Sequence, residues 1–358
     1  MISANLFLLP HCCTLKKDDE IFNKLEMKKL LNNKFNLGFF PTPMHQLKNL
    51  SNKYSDYSIY IKRDDQTGLA SGGNKTRKLE YLIKEAIDTN CNVVFTAGAQ
   101  QSNHCRQTAA ACALAGIECH IIVKGNEPKR YQGNLLLSHL LGAKIHFTTN
   151  YTKEIDFNSY ISKLEKDKKA FIIPIGGSNI TGTLGYIEAI KELKLQLEEQ
   201  HIKIDYLFFA SSSGGTQAGI MLGMQLYDLD FELIPIKIDK DTNEKGELAE
   251  VVLNLVNEGE SLLNLKTESS LSDIPLNRSY NDAEYGVLTK NETSAIHELA
   301  LQEGILLDPV YTGRAFYGML DCLKNKKLKP NSNILFWHTG GLPALFEYAN
   351  GLKEVQKR

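Results

Sequence analysis

Short apolar, β-branched runs recur along this chain with helical segments between them. That alternation restricts it to a wound, mostly parallel α/β sheet architecture. Val93-Val94-Phe95, Cys119-His120-Ile121-Ile122-Val123, Lys144-Ile145-His146-Phe147 and Phe171-Ile172-Ile173 predict four strands with helices between them. They define one self-contained unit, residues 78–190. Residues 207–210, 233–238 and 334–337 predict strands of a second unit, and Ile59-Tyr60-Ile61-Lys62-Arg63 alternates like a further strand. The polar stretches 239–247 and 258–279 read as connections or excursions. Residues 1–36 read as an N-terminal extension, partly helical and lysine-rich, and there is no internal repeat or low-complexity tract.

Two glycine-rich junctions carry the chemistry. Ser71-Gly72-Gly73-Asn74-Lys75 follows the loop 64–70, and Leu79, Leu82, Ile83, Ala86 and Ile87 then recur at helical spacing. Lys75 is thereby placed at the positive end of a helix dipole, where an ammonium is disfavoured and the amine is readied to form an imine with a carbonyl. The bland alternative is a solvated first-turn lysine, which is how Lys78 and Lys84 of the same helix are read. At the second junction, Asp205-Tyr206-Leu207-Phe208-Phe209-Ala210 reads as a buried strand. Ser211-Ser212-Ser213-Gly214-Gly215-Thr216-Gln217-Ala218-Gly219 then turns into an apolar helix. Small residues there let N–H groups converge on an anion at a helix N-terminus, with Ser213 and Thr216 adding donors beside Gly214 and Gly215. They also ease a tight turn, which is the structural alternative. Neither a Gly-Lys-Ser/Thr ending nor a Gly-x-Gly-x-x-Gly turn is present, so nucleotide binding has no support. An imine-forming lysine with a phosphate cup points to pyridoxal phosphate (PLP).

The sequence resembles the D-cysteine desulfhydrase and 1-aminocyclopropane-1-carboxylate (ACC) deaminase family of PLP enzymes, of the tryptophan-synthase-β-like fold type II. The resemblance rests on Pro41-Thr42-Pro43, Ile61-Lys62-Arg63-Asp64-Asp65, residues 72–80, 96–104, 211–219 and 307–313, and His338-Thr339-Gly340-Gly341. These run in the family's order from about residue 37. The resemblance implies two wound, mostly parallel α/β domains with the cofactor in the cleft between them. The large domain would comprise residues 37–77 and 191–358, with the small domain, 78–190, inserted into it. Lys75 would hold the cofactor and then act as a base near Cα. Ser102, otherwise an ordinary helix N-cap, would bind the substrate carboxylate with its neighbours. Asn103 would bind the cofactor's phenolic oxygen, Thr339 would face the ring nitrogen, and His104 would be structural or lie behind the site.

Tyr285 and Tyr311 are implied at the substrate. Among 15 tyrosines, Tyr311 is singled out because Leu307-Asp308-Pro309-Val310-Tyr311-Thr312-Gly313 reads as a turn leaving a phenol at a strand's end. Beside a cationic imine its pKa is expected to fall towards neutrality. A hydroxyl at Thr339 does not enforce a charged pyridine ring, which suits β-elimination. ACC deaminases carry a glutamate after the second tyrosine, where this chain has Thr312.

Composition agrees with a soluble enzyme. The chain has 358 residues, 42% of them hydrophobic, and a formal net charge of −1, which gives no electrostatic case for nucleic acid or anionic membrane. No apolar run reaches the roughly 18 residues of a membrane span, and the apolar start of the chain lacks a basic n-region and a cleavage site. Seven cysteines without framework spacing suggest a reducing, cytoplasmic setting, and His11-Cys12-Cys13 lacks a second ligand pair for zinc. The expectation is a PLP-dependent lyase, a homodimer acting on a small amino acid. It would convert D-cysteine to pyruvate, ammonia and hydrogen sulfide. ACC deaminase, or a lyase for another β-substituted amino acid, is the alternative. A lapsed PLP-binding or amino-acid-sensing protein and a nucleotide-binding module remain from other classes.

Overall fold

The computed structural model describes residues 25–149, 155–239, 247–265, 267–281 and 283–353. Strands β1 (Met44–Gln46), β2 (Tyr57–Arg63), β9 (Ser332–His338), β7 (Tyr206–Ser211) and β8 (Glu232–Lys237) form a five-stranded sheet in that spatial order. Only β1 is antiparallel to its neighbour. A second, wholly parallel sheet has the order β5 (Lys144–Thr148), β4 (Glu118–Lys124), β3 (Val93–Gly98) and β6 (Ala170–Ile172). The eight strands expected from the apolar and alternating runs are present. Most of the polar stretch 239–247 lies outside the described residues, as do residues 1–24 and with them His11-Cys12-Cys13. The stretch 258–279 begins differently from expectation. A helix, Leu248–Leu262, runs into it because Val252, Leu255 and Val256 bury one face against Leu222 and Leu184, and that packing carries the polar end along.

Side-chain alternation explains why the five-stranded sheet is covered on both faces. Ile59, Ile61, Phe208 and Phe336 point into one core with Phe316 and Met319 of the helix Thr312–Lys324. Leu207, Phe209, Leu335 and Trp337 point the other way, onto Tyr186, Ile190 and Leu193 of the helix Ile180–Gln200. The four-stranded sheet packs against the helices Lys75–Asp88 and Asn103–Ala115 through Leu79, Leu82, Ile83, Ala109 and Cys112. All five described cysteines are buried and free. Among the described residues, no helix is long and apolar enough to cross a membrane.

In parallel sheets the loops at the carboxyl ends of strands gather on one edge. Arg63 of β2 lies opposite His338 of β9, so the loop leading to Lys75 and the turn at Thr339 emerge side by side. Residues 211–214 leave the adjacent β7, and residues 99–104 leave β3 of the other sheet. The Lys75 helix is tied in place by a buried ion cluster. Arg77 donates to both carboxylate oxygens of Asp64 at 2.9 and 2.8 Å and to both of Glu192 at 3.0 and 2.9 Å. Burial alone would raise the Asp64 carboxyl, but Arg77, its hydrogen bonds and Lys62 hold it at about 2.

The Ile180 helix crosses the Lys75 helix at Gly185. A Cβ placed there would lie 2.2 Å from the carbonyl oxygen of Arg77 and 2.8 Å from the amide nitrogen of Lys78, both rigid backbone atoms. Alanine is a better helix former than glycine by about 1 kcal/mol, so an open site would gain from the change. Here Gly185→Ala is expected to lower stability by about 1–3 kcal/mol through overpacking, read as a shift of the urea unfolding midpoint. A stabilised variant would show that the crossing has room to spare.

Candidate active site

The loop before Lys75 is held by its own backbone. Gly72 and Gly73 have φ of 68° and 126°, left-handed values that favour glycine. The Gly73 amide donates to Asp64 O at 2.9 Å and the Asn74 amide to Thr339 O at 3.0 Å. A Cβ on Gly340 would fall 2.7 Å from Gly73 Cα, so the two turns touch backbone to backbone. Asn74 does not cap the helix; its side chain donates to Thr216 Oγ1 at 3.1 Å. The cap comes from another helix, where Gln107 Oε1 accepts from the Thr76 amide at 2.8 Å.

One cavity collects residues from both sheets: Asn74, Lys75, Asn103, His104, Ala210 to Gly214, Thr216, Tyr311 and Thr339. Lys75 stands at its wall, and withdrawal from water lowers its pKa to about 8. The expected direction holds, but its largest cause is burial. Lys78 is a correction. It is fully buried rather than solvated, because position 78 lies one turn on from 75 and shares its face. Its Nζ donates to Gly176 O at 3.1 Å and Ser178 Oγ at 3.3 Å, with no carboxylate among these partners. Burial, then the charge of Lys75, pushes its pKa far down. Lys84 pairs with Asp88 at the surface.

The expected phosphate cup is built on the helix Gly215–Tyr227, with Gly214 at φ 82° turning the chain into it. Ser178 Oγ donates to Ser213 Oγ at 2.8 Å and accepts from the Gly215 amide at 3.3 Å. A Cβ on Gly215 would lie 2.9 Å from Lys78 Nζ, so bare backbone, two hydroxyls and a lysine amine converge there. Burial disfavours charge on that amine, an anion beside it would restore the charge, and the first-turn amides offer the remaining donors. These residues fit a phosphate group. Sequence reading missed Lys78 and Ser178. The run Gly176-Gly177-Ser178-Asn179, a third glycine-rich turn before a helix, was the available signal.

On the opposite side, Asn103 Oδ1 accepts from Asn134 Nδ2 at 2.8 Å, which leaves its amide NH2 to face the cavity. His104 also lines the cavity. Thr96 Oγ1 lies 2.8 Å from His104 Nε2 and gives its own proton to Ile173 O at 2.9 Å, so Nε2 carries the hydrogen and Nδ1 is a bare acceptor. Nδ1 is buried without a partner among the described residues. Burial first, then Lys75 and Lys78, keeps this ring neutral. Ser102 caps the Asn103 helix, accepting from the Cys105 amide at 3.2 Å, and sits beside the lining residues rather than among them.

Tyr311 requires two corrections. The segment 307–313 ends no strand, since Asp308 folds it into a turn by accepting from the amides of Val310, Tyr311 and Thr312 at 3.0, 2.9 and 2.8 Å. Its phenol donates to or accepts from Tyr285 at 2.5 Å, the two rings meeting edge to face. The Tyr311 pKa is raised well above its ordinary value, not brought towards neutrality. Burial is the largest cause, followed by Tyr285 and the charges of Asp239 and Asp308. Burial of the phenol likewise raises Tyr285, although the residue as a whole is 37% exposed. Thr312 Oγ1 donates to Asp308 Oδ1 at 2.6 Å and does not line the cavity.

Residues 35–340 match the family model described as "Pyridoxal-phosphate dependent enzyme". A protein of Pyrococcus abyssi named "Putative 1-aminocyclopropane-1-carboxylate deaminase" is 38% identical over 320 residues, 88% of this chain and 93% of that one. The D-cysteine desulfhydrase of Salmonella newport is 37% identical over 315 residues, 86% and 94% of the two chains. A crystal structure of an ACC deaminase homologue superposes with a TM-score of 0.80 at 34% identity, covering 90% of this chain and 97% of the other. With a lysine at a glycine turn and a fitting anion cup, this chain belongs to the family of pyridoxal-phosphate-dependent enzymes.

Proposed function

We propose that this chain eliminates hydrogen sulfide from D-cysteine, leaving pyruvate and ammonia once the three-carbon product hydrolyses. The observation that carries the reading is an amine and a phenol of opposite character on one cavity. Lys75 is lowered to about 8, whereas the Tyr285–Tyr311 pair is raised and stays protonated. Elimination needs a base at Cα and an acid at the departing group. PLP, when bound, draws electron density from Cα into its ring and makes the Cα proton acidic. Lys75 Nζ takes that proton. The Tyr311 phenol gives its own to the sulfur as the C–S bond breaks, and a thiol of ordinary pKa ~8.5 leaves readily.

In the same reading Ser102 and the amides beside it bind the substrate carboxylate. Asn103 donates to the cofactor's phenolic oxygen, and Thr339 is the hydroxyl for its ring nitrogen. Ser213, Gly214, Gly215 and Thr216 hold the phosphate together with Lys78. Opening a cyclopropane expels no group and requires a stronger electron sink than a threonine hydroxyl supports. Thr312, already spent on Asp308, adds nothing to it. The enzyme is taken as a cytoplasmic homodimer, with residues 37–77 and 191–358 as the large domain and 78–190 as the inserted small one. Sheet membership supports that division, since β3 to β6 fall within 78–190 and the other strands outside it.

Three outcomes are expected. Borohydride treatment of the yellow holoenzyme should leave the pyridoxyl group on Lys75 in a peptide map. Because only the unprotonated amine reacts, attachment of PLP to apoprotein should accelerate as pH rises through about 8 and then level off. Label on Lys78, or a rise continuing towards the ordinary lysine range, would overturn the assignment.

Pyruvate release from D-cysteine should exceed both that from L-cysteine and α-ketobutyrate formation from ACC. Equal or reversed rates would hand the reading to the deaminase.

Tyr311→Phe keeps the ring and removes the proton, so turnover should fall by roughly 10²–10⁴, while the absorbance shift on mixing with substrate survives. Near-normal turnover would make Tyr311 a packing residue.

A further inference from the structure

We propose that Asp239 determines which β-substituents the enzyme accepts, by offering a free carboxylate oxygen to a hydrogen-bond donor on the substrate side chain. The inference rests on the functional reading above and adds a residue that the reading does not use.

Asp239 follows β8 at the carboxyl edge of the large sheet, beside the loop that leaves β7. Its Oδ2 accepts from Ser212 Oγ at 2.7 Å, and Ser212 lines the cavity. Its Oδ1 is buried and receives no hydrogen bond from any described residue. Its backbone is held by two hydrogen bonds. Asn281 Nδ2 donates to the Asp239 carbonyl at 3.0 Å, and the buried Arg314 donates to the preceding carbonyl, that of Ile238. The same guanidinium holds the carbonyls of Ala283 and Val287 at 3.3 and 3.2 Å, which bracket Tyr285. One side chain therefore fixes Asp239 and the tyrosine pair in a common frame, and the Asp239 charge reaches both phenols.

A buried carboxylate oxygen without a donor is costly to keep. Asp239 is not itself a lining residue, but Ser212 both lines the cavity and bonds the Asp239 carboxylate, so we place the offsetting donor in that neighbouring cavity. The phenol pair serves the departing atom, so the carboxylate reads the proton that atom carries. Thiol, hydroxyl and ammonium substituents are matched by it. A halide brings no donor, and an anionic substituent is repelled.

The test uses the holoenzyme and Asp239→Asn, which retains an acceptor for Ser212 and removes the charge. The ratio of kcat/KM for D-cysteine to that for β-chloro-D-alanine should fall at least ~10-fold in the variant, the lower range for a hydrogen bond to a charged group. In parallel, calorimetric Kd values for D-serine and D-alanine should differ in the wild type, with D-serine the tighter, and converge in the variant. Both are ratios, so a loss of folded protein cancels. Unchanged ratios, or equal binding of D-serine and D-alanine by the wild type, would overturn the proposal without touching the functional reading. If the wild type turned over neither D-cysteine nor β-chloro-D-alanine, the functional reading would fail, and the serine–alanine pair would still decide the role of Asp239.

Discussion

The position of Lys75 depends on Arg77. A guanidinium taken out of water is tolerable only with full compensation, and here Asp64 and Glu192 both receive it in two-pronged fashion while Phe40 stacks on it with its ring centroid 4.5 Å away. Its partners come from the end of β2 and from the Ile180 helix, so one side chain joins three elements. At 100° per residue, position 77 projects away from positions 75 and 78. The ion cluster therefore grips one side of the first turn and leaves Lys75 at the cavity wall and Lys78 on Gly176 and Ser178. Removing Arg77 would leave the buried Asp64 carboxylate without its guanidinium, with Glu192 still held by Lys62, and would loosen the helix.

The cleft that results is electrically divided. At one end stand two lysine amines with lowered pKa values and a neutral His104, with hydroxyls, bare amides and no carboxylate hydrogen-bonded to Lys78. At the other end burial raises both phenols of the tyrosine pair, and the charges of Asp239 and Asp308 add to it. The first end suits a phosphate and an unprotonated amine. The second keeps protons on oxygen. A reaction that removes a proton at one carbon and delivers one at the next matches that division, since each group is biased towards the form it must have at the start of the step.

The fold was largely legible in the sequence because both faces of the five-stranded sheet are covered and the inner strands β3 and β4 of the other sheet are buried. Continuous apolar runs such as 207–210 have few other fates, and glycine-rich turns before helices mark where the strands end. Lys75, Ser213, Gly214, Gly215, Thr216 and Tyr311 were legible from such turns, whereas Asn103 and Thr339 came from the family resemblance; the cavity is lined by all of these but Gly215, and by neither Ser102 nor Tyr285. Lys78, Ser178 and Asp239 were hidden. Each is a common polar residue whose importance comes from what is packed around it, and nothing in its neighbours along the chain signals that packing.

Local sequence by itself determined the strand order along the chain, the turn before Lys75 and the helix starts, because these follow from side-chain alternation and the left-handed backbone that glycine permits. Only the tertiary structure decided protonation. Whether Lys78 is solvated or buried, and whether the Tyr311 proton is easily lost or firmly kept, depends on desolvation and on charges many residues away, such as Asp239. Those are properties of space rather than of order along a chain, and a reading of neighbours in sequence has no access to them.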